Sequence, residues 1–195
     1  MQTFLRSTVL MVPLLAIGVA EVKGQSSSEI LAEGFREIRD GNHKRAEKIF
    51  HQVIKQNPKS IMGHYGLGLA LYAQAKHAKG KARDNLLQRA RRATNQAVIL
   101  DPKHDRALEL LGKIADEQKD LKAAVKFFSR AIAVVNVMEK RRRADLFLAR
   151  GTAYLEMMNN KAGVADLKEF LKLASPNHPK VPFAKALIKI LSKEE

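Results

Sequence analysis

The residue types that most often carry catalysis or bind metals are few and scattered in this chain. Cysteine is absent from the 195 residues, which excludes disulfides, thiolate nucleophiles and zinc sites built on cysteine. The histidines stand at positions 43, 51, 64, 77, 104 and 178. No two of them have the HxxxH spacing that places two metal ligands on one helix face. We therefore expect surface or packing histidines, no metal and no cofactor.

Two glycine-containing stretches look like phosphate-binding loops but lack their context. The stretch GHYGLG at residues 63–68 lies inside a helical pattern, whereas a phosphate loop connects a strand to a helix. Gly80-Lys81 is followed by Ala82, so the Ser or Thr of a P-loop is missing, as is its upstream glycine. The sequence predicts that the protein is not an enzyme.

Positive charge is the strongest bulk property of the chain. Its net charge of +15 and isoelectric point near 10.1 predict attraction to lipid head groups, nucleic acid or acidic proteins. The stretch that holds the first of two basic clusters, residues 73–96, contains a single acid, Asp84. The two clusters contain Lys76, Lys79, Lys81, Arg83, Arg89, Arg91 and Arg92, and Arg141, Arg142 and Arg143.

These clusters have two interpretations at this stage. They are candidate contacts for an anionic membrane surface or another polyanion. Alternatively, they form solvated loops that keep the protein soluble. No aromatic residue interleaves the first cluster, so nucleic acid is an unlikely partner.

The first 24 residues have the layout of a secretory signal peptide. Arg6 precedes an apolar run from Thr8 to Ala20, which ends in the small residues Gly18 and Ala20. The run is shorter than the roughly 20 residues that a membrane-spanning helix needs. We expect cleavage after Ala20, with Gly24 as the second choice, and hence an exported protein, periplasmic or secreted. An uncleaved membrane anchor is the alternative.

Small residues recur through the rest of the chain at regular intervals. Gly34, Gly68, Gly112 and Gly151 are separated by 34, 44 and 39 residues. A second series, Ala46, Ala90, Ala124 and Gly163, has steps of 44, 34 and 39. The underlying period is 34, with ten extra residues between Gly68 and Ala90 and five between Asn136 and Gly151. Few β-branched runs are present, so the repeats are predicted to be helical.

The third repeat carries the pattern most fully, through Leu108, Leu111-Gly112, Ala115, Ala124, Phe128 and Ala131. In these positions the sequence resembles the tetratricopeptide repeat family. The resemblance implies an all-α fold, an α-solenoid in which antiparallel helix pairs form a right-handed superhelix. The implied domain spans residues 25–195, with repeats at about 27–60, 61–104, 105–138 and 144–177 and a C-terminal capping helix at about 181–193. Small residues are then required where paired helices cross closely.

The resemblance also implies a binding surface. First helices of successive repeats line a concave groove that holds a peptide or helix of another protein. Leu31 and Phe35 replace the Lys and Asn clamp by which some members hold chaperone C-termini, so that specificity is not expected. The candidate groove residues are Leu31, Phe35 and Ile38, Met62, Tyr65, Leu69 and Tyr72, Arg106, Glu109, Lys113 and Asp116, and Leu148, Thr152 and Leu155.

Several of these residues, Leu31 and Leu69 above all, could instead be ordinary core between repeats. The predicted function is a non-enzymatic scaffold or adaptor in cell-envelope or secretory assembly, binding a partner peptide or helix. The alternative is a basic surface-binding protein that docks on anionic lipid or nucleic acid through its insertion.

Overall fold

The structure, a computed structural model, describes residues 26–192. Within this range the secondary structure is entirely helical. The predicted signal peptide and the end of the predicted cap, residue 193, lie outside the described residues. The helices are α1 (Ser27–Arg39), α2 (His43–Gln56), α3 (Ile61–Ala75), α4 (Gly80–Leu100), α5 (Asp105–Glu117), α6 (Leu121–Val134), α7 (Lys140–Glu156), α8 (Asn160–Leu173) and α9 (Val181–Leu191).

Short polar caps fix where the helices begin. Ser26 accepts a hydrogen bond from the backbone of Glu29, whose side chain accepts one from the Ser26 backbone, and this capping box starts α1. Ser60, Asp120 and Asn159 cap α3, α6 and α8 through their side chains. The starts of α1, α3, α6 and α8 therefore follow from local sequence.

Four helix pairs stack in chain order, and α9 packs against the last of them. Each helix contacts the next one in the chain, from α1 with α2 to α8 with α9. The first helices of neighbouring repeats also contact each other, as α1 contacts α3. The predicted all-α solenoid is confirmed. Its core runs continuously between the layers and contains the fully buried rings of Phe50, Phe128 and Phe170.

The close crossings predicted from the small residues are present. A Cβ atom on Gly112 would lie 2.5 Å from Cε1 of Phe128, a ring that is 1% exposed. A Cβ atom on Gly151 would lie 3.2 Å from the carbonyl oxygen of Gly163, so in the fourth pair backbone meets backbone. Side chains larger than glycine do not fit at these crossings without displacement.

Most of the ten-residue insertion is helical, because residues 80–86 begin α4, and its interpretation as a loop is wrong. Helix α4 has 21 residues where its counterpart α2 has 14, and the extra turns begin at Gly80. No helix-breaking residue follows Gly80 within α4, and Leu86, the last residue of the insertion, packs partly against the core, so the segment adopts a helix. The second insertion likewise forms the start of α7.

None of the helices in residues 26–192 is long and apolar enough to cross a membrane.

Candidate binding groove

The first helices of repeats two and three, with the start of α7, enclose a cavity of about 270 Å³. Most of its walls come from residues predicted for the groove. The lining residues are Tyr65, Leu69, Tyr72, Arg106, Glu109, Leu110, Lys113 and Arg142. The structure therefore brings the predicted residues of α3 and α5 together at one site.

Aromatic rings form the N-terminal wall of the groove. The Tyr65 ring lies 6.1 Å from that of Phe35 and 5.2 Å from that of His104, and Phe35 lies 5.0 Å from Phe50 (centroid to centroid). Tyr65 is only 8% exposed, so this predicted contact residue is mainly core. Sequence periodicity did not reveal this, because Phe35 reaches Tyr65 from the first repeat and His104 reaches it from the start of α5.

Tyr72 is the more accessible of the two phenols. Burial, followed by the charges of Glu117 and Asp116, raises the pKa of Tyr72 to about 12. Its hydroxyl is therefore neutral at physiological pH and can both donate and accept a hydrogen bond. Lys76, assigned to the basic cluster, lies with its Nζ 5.8 Å from the Tyr72 ring centroid.

An ion-pair network forms the C-terminal wall. Arg142 on α7 donates from Nε to Glu109 at 3.0 Å and from Nη1 to Asp105 at 2.8 Å and Glu139 at 3.3 Å. Lys113 donates to Glu109 at 2.6 Å. Burial alone would raise the pKa of Glu109, but Lys113 and Arg142 outweigh it and hold that pKa below its usual range.

The placement of Arg142 corrects the sequence prediction. The sequence places Arg142 in one basic cluster with Arg141 and Arg143, yet its side chain is only 19% exposed and faces the acids of α5. The reason is helical geometry, since adjacent residues on a helix point about 100° apart. Arg141 is exposed, and Arg143 lies 5.7 Å from the Phe147 ring centroid.

The remaining groove candidates lie on the flanking helices. On α1, Leu31, Phe35 and Ile38 are half-buried against the core. Met62 is 40% exposed at the start of α3. On α7, Leu148 and Leu155 also pack partly on the core, and the Thr152 hydroxyl donates to the Ala149 carbonyl at 2.9 Å. None of them lines the cavity itself, and Leu155 packs against Gly163 of the paired helix α8.

The arginines of the first basic cluster are largely neutralised within the fold. Arg83 pairs with Glu117, Arg89 with Glu47, and Arg91 with Asp120. Arg83 lies on α4 and Glu117 on α5, so this pair joins neighbouring repeats. The cations of the two clusters that are exposed and have no ion pair within residues 26–192 are Lys76, Lys79, Lys81, Arg92 and Arg141.

One buried ion pair was missed because its members look like ordinary helix-surface charges. Asp166 of α8 is 5% exposed and accepts two hydrogen bonds from Arg150 of α7, at 2.7 and 2.8 Å. Arg150 also donates to Ser129 of α6 at 2.9 Å. This contact among Arg150, Asp166 and Ser129 joins repeats three and four. Both carboxylate oxygens of Asp166 accept from Arg150, so we assign the contact a structural role.

A larger opening of about 770 Å³ lies at the loop edge of repeats one and two. The rings of His43 and His77 stack there at 5.9 Å, and burial, followed by the His77 charge, lowers the pKa of His43. No group of three or more His, Asp or Glu residues in the described range is placed to hold a metal ion. The groove therefore offers the better-defined arrangement of contact groups.

Comparisons with known proteins agree with this architecture. The model of a family described as "Tetratricopeptide repeat" matches residues 31–82 and 75–134, which together exceed half of the chain. No protein of curated function matches the sequence.

Similar solved structures share the fold at low identity. A tetratricopeptide repeat protein of Thermus thermophilus has a TM-score of 0.69 at 16% identity and covers 85% of this chain and 82% of its own. PilF of Pseudomonas aeruginosa has a TM-score of 0.71 at 19% identity, with 86% and 69% covered. MamA from Desulfovibrio magneticus has a TM-score of 0.63 at 18% identity, with 76% and 75% covered.

Proposed function

Because the chain belongs to the tetratricopeptide repeat family, we propose that it is a non-enzymatic scaffold that holds a segment of another protein in its concave groove. Proteins of this fold generally act as protein-interaction scaffolds. The observation that carries the proposal is the cavity between α3, α5 and α7, which has an apolar, phenolic wall facing a wall of fixed charges.

The composition of the two walls suits a protein segment. Leu69 and Tyr72 provide apolar area together with a neutral hydroxyl, and tyrosine loses little side-chain entropy on binding. Opposite them, Glu109, Lys113 and Arg142 are already held in position by one another. A partner therefore meets preorganised hydrogen-bonding groups, which reduces the cost of ordering on association.

We further propose that the partner is an envelope or secreted protein. Support comes from the N-terminal sequence, whose Arg6, apolar run and small residues are typical of a signal peptide. In this role the scaffold works after export, or from a membrane anchor if the segment stays uncleaved.

Docking on anionic lipid or nucleic acid through the insertion remains the competing function. The ion pairs of Arg83, Arg89 and Arg91 weaken this alternative, because those charges already have partners within the fold. The two functions differ in salt dependence: binding through many exposed cations falls steeply with salt, whereas groove binding with apolar anchors does not.

Co-purification with the full chain from its own cells, at low and high salt, tests the proposal. The groove variant is Tyr72→Ala/Lys113→Ala, because Tyr65→Ala would remove core packing. The control is Ile99→Ser, a residue that is 70% exposed on α4. We expect one defined partner protein to stay bound to the wild type and to the control at high salt. The groove variant should no longer retain this protein. Lipid or nucleic acid binding at low salt alone, unchanged in the groove variant, would contradict the proposal.

A further inference from the structure

The two layers of helices differ strongly in charge. The second helices of the four pairs, α2, α4, α6 and α8, together carry fifteen lysines and arginines but only four acids. The first helices, α1, α3, α5 and α7, carry nine basic and nine acidic residues. The excess positive charge of the helix pairs therefore lies on the layer of second helices.

Part of this charge recurs at two fixed positions of the repeat. These positions stand two residues before and two residues after the small residue of each second helix, which is Ala46, Ala90, Ala124 or Gly163. Across the four repeats they hold no acid, and only Gln88 and Ala165 among them are uncharged. The remaining six residues form what we call the basic ladder: Lys44, Lys48, Arg92, Lys122, Lys126 and Lys161.

The basic ladder points away from the first helices, which carry the groove. The small residues face those helices, since a Cβ atom on Gly163 would lie 3.1 Å from the carbonyl oxygen of Gly151, and one on Gly68 would lie 3.3 Å from that of Ala90. Residues two positions before or after another residue of a helix lie about 160° from it around the axis. The ladder is therefore on the outer side of the second helices, and all six of its residues are exposed.

The fold does not neutralise the basic ladder. None of its six residues has an ion pair within residues 26–192. Of the four acids on the second helices, three already pair with other cations, namely Glu47, Asp166 and Glu169.

The arrangement of the ladder also carries a cost. Lys44 and Lys48 are one helical turn apart, as are Lys122 and Lys126, and like charges at this spacing destabilise a helix. Solubility does not require this arrangement, because a surface of mixed charges provides it as well. A segregated and unpaired basic surface instead suits an anionic partner.

We propose that the basic ladder docks the protein on an anionic phospholipid surface while the groove on the other layer remains free to hold a protein. The inference goes beyond the proposed function, because the partner and the contact residues differ from those of the groove. It also differs from docking through the insertion, since Arg92 is the one ladder residue that belongs to the two basic clusters.

A lipid surface suits the ladder better than nucleic acid does. Five of its six residues are lysines, which act as flexible point charges toward lipid phosphates, whereas arginine is the residue favoured for recognising nucleic acid. No aromatic residue occupies a ladder position, so unpaired bases have nothing to stack on. The predicted export also brings the protein to a membrane. With a Debye length of about 10 Å at 0.1 M salt, cations on several helices act on one lipid surface together.

Sedimentation with vesicles tests the inference on the protein purified from its own cells. Vesicles of phosphatidylcholine with about one third phosphatidylglycerol are compared with vesicles of phosphatidylcholine alone, which measure any binding by the apolar N-terminal segment. The ladder variant is Lys48→Glu/Arg92→Glu/Lys126→Glu. The control, Lys59→Glu/Lys103→Glu/Lys140→Glu, makes the same change of net charge at exposed residues that have no ion pair within residues 26–192 and lie beyond the opposite ends of the second helices.

We expect the wild type to bind the anionic vesicles about tenfold or more tightly than the neutral ones at low salt, and to lose this difference at about 0.5 M salt. The ladder variant should lose the preference for anionic vesicles, whereas the control and Tyr72→Ala should keep it. Circular dichroism verifies that the variants fold, and the ladder variant should still retain the groove's protein partner in co-purification.

The remaining outcomes would overturn the inference. An equal loss in the ladder variant and the control would show that net charge alone matters. Normal binding by the ladder variant together with loss in Lys79→Ser/Lys81→Ser would assign the lipid contact to the insertion. Binding to a DNA duplex but not to anionic vesicles would identify a different partner. Each of these results leaves the groove function intact, because that function is measured by retention of a protein at high salt.

Discussion

At the scale of the residue, the fold depends on glycines at positions where a larger side chain would collide with its neighbours. Gly112 lies under the Phe128 ring, and a Cβ there would stand 2.5 Å from Cε1. Replacing Gly112 by Ala gains about 1 kcal/mol of helix propensity, but overpacking a buried ring costs about 1–3 kcal/mol. We expect Gly112→Ala to lower the midpoint of chemical unfolding despite the better helix former.

A second substitution separates crowding from other effects of the change. In Gly112→Ala/Phe128→Leu the smaller side chain leaves room for the new methyl group, so the alanine should cost less in the Phe128→Leu background than in the wild type. If the alanine costs the same free energy of unfolding in both backgrounds, contact with Phe128 is not the reason that glycine is needed.

At the scale of the element, the lengthened helix α4 is separable from the groove. Deleting residues 77–86 restores a helix of the length of α6 and keeps Leu71, Ala90 and Thr94, which pack in the core. We expect the deletion variant to remain helical by circular dichroism, to melt a few degrees lower because it loses the Arg83–Glu117 pair and two turns of helix, and to keep its groove partner.

The deletion also removes His77, Lys79, Lys81 and Arg83, so it tests the competing surface function. Substituting Lys79 and Lys81 by Ser in the intact helix provides the matched control, because it removes charge without changing length. Loss of the partner from both variants would show that the basic insertion is the working surface.

The contact between α5 and α7 should make stability depend on acid pH. Burial would raise the pKa values of Asp105 and Glu109, but Arg142, with Lys113 at Glu109, lowers both. A carboxylate whose pKa is lower in the folded state than in the unfolded chain stabilises the folded state at pH values above the unfolded pKa of about 4. This stabilisation is lost as the pH falls through the folded pKa.

Urea unfolding at pH values from about 6 down to about 3 measures this dependence. We expect Glu109→Gln to be less stable at pH 6 and to lose less stability on acidification than the wild type. The control is Asp84→Asn, an exposed acid with no ion pair in the described range. An unchanged slope in Glu109→Gln would contradict the role assigned to the network.

At the scale of the whole molecule, the sequence predicted the features that recur every 34 residues but few of the contacts between repeats. The helix pairs and the crossing at Gly112 follow from periodicity, because each depends on one repeat's own residues. The burial of Tyr65, the pairing of Arg89 with Glu47 and the inward placement of Arg142 depend on contacts between repeats.

Export decides which partners the groove can meet, and it is tested on the intact chain in its own cells. The apolar run of residues 8–20 is too short to span a membrane as a helix but long enough for a signal peptide. We expect the mature protein outside the cytosol, with a mass and N-terminal sequence that begin at Glu21, or at Gln25 if cleavage follows Gly24. Replacing Leu14 and Leu15 by Arg should interrupt the apolar run and leave full-length protein in the cytosol, whereas Gln2→Ala should change neither location nor processing. Full-length wild-type protein recovered from the cytosol would contradict export, and full-length protein in the membrane fraction would identify the segment as an anchor.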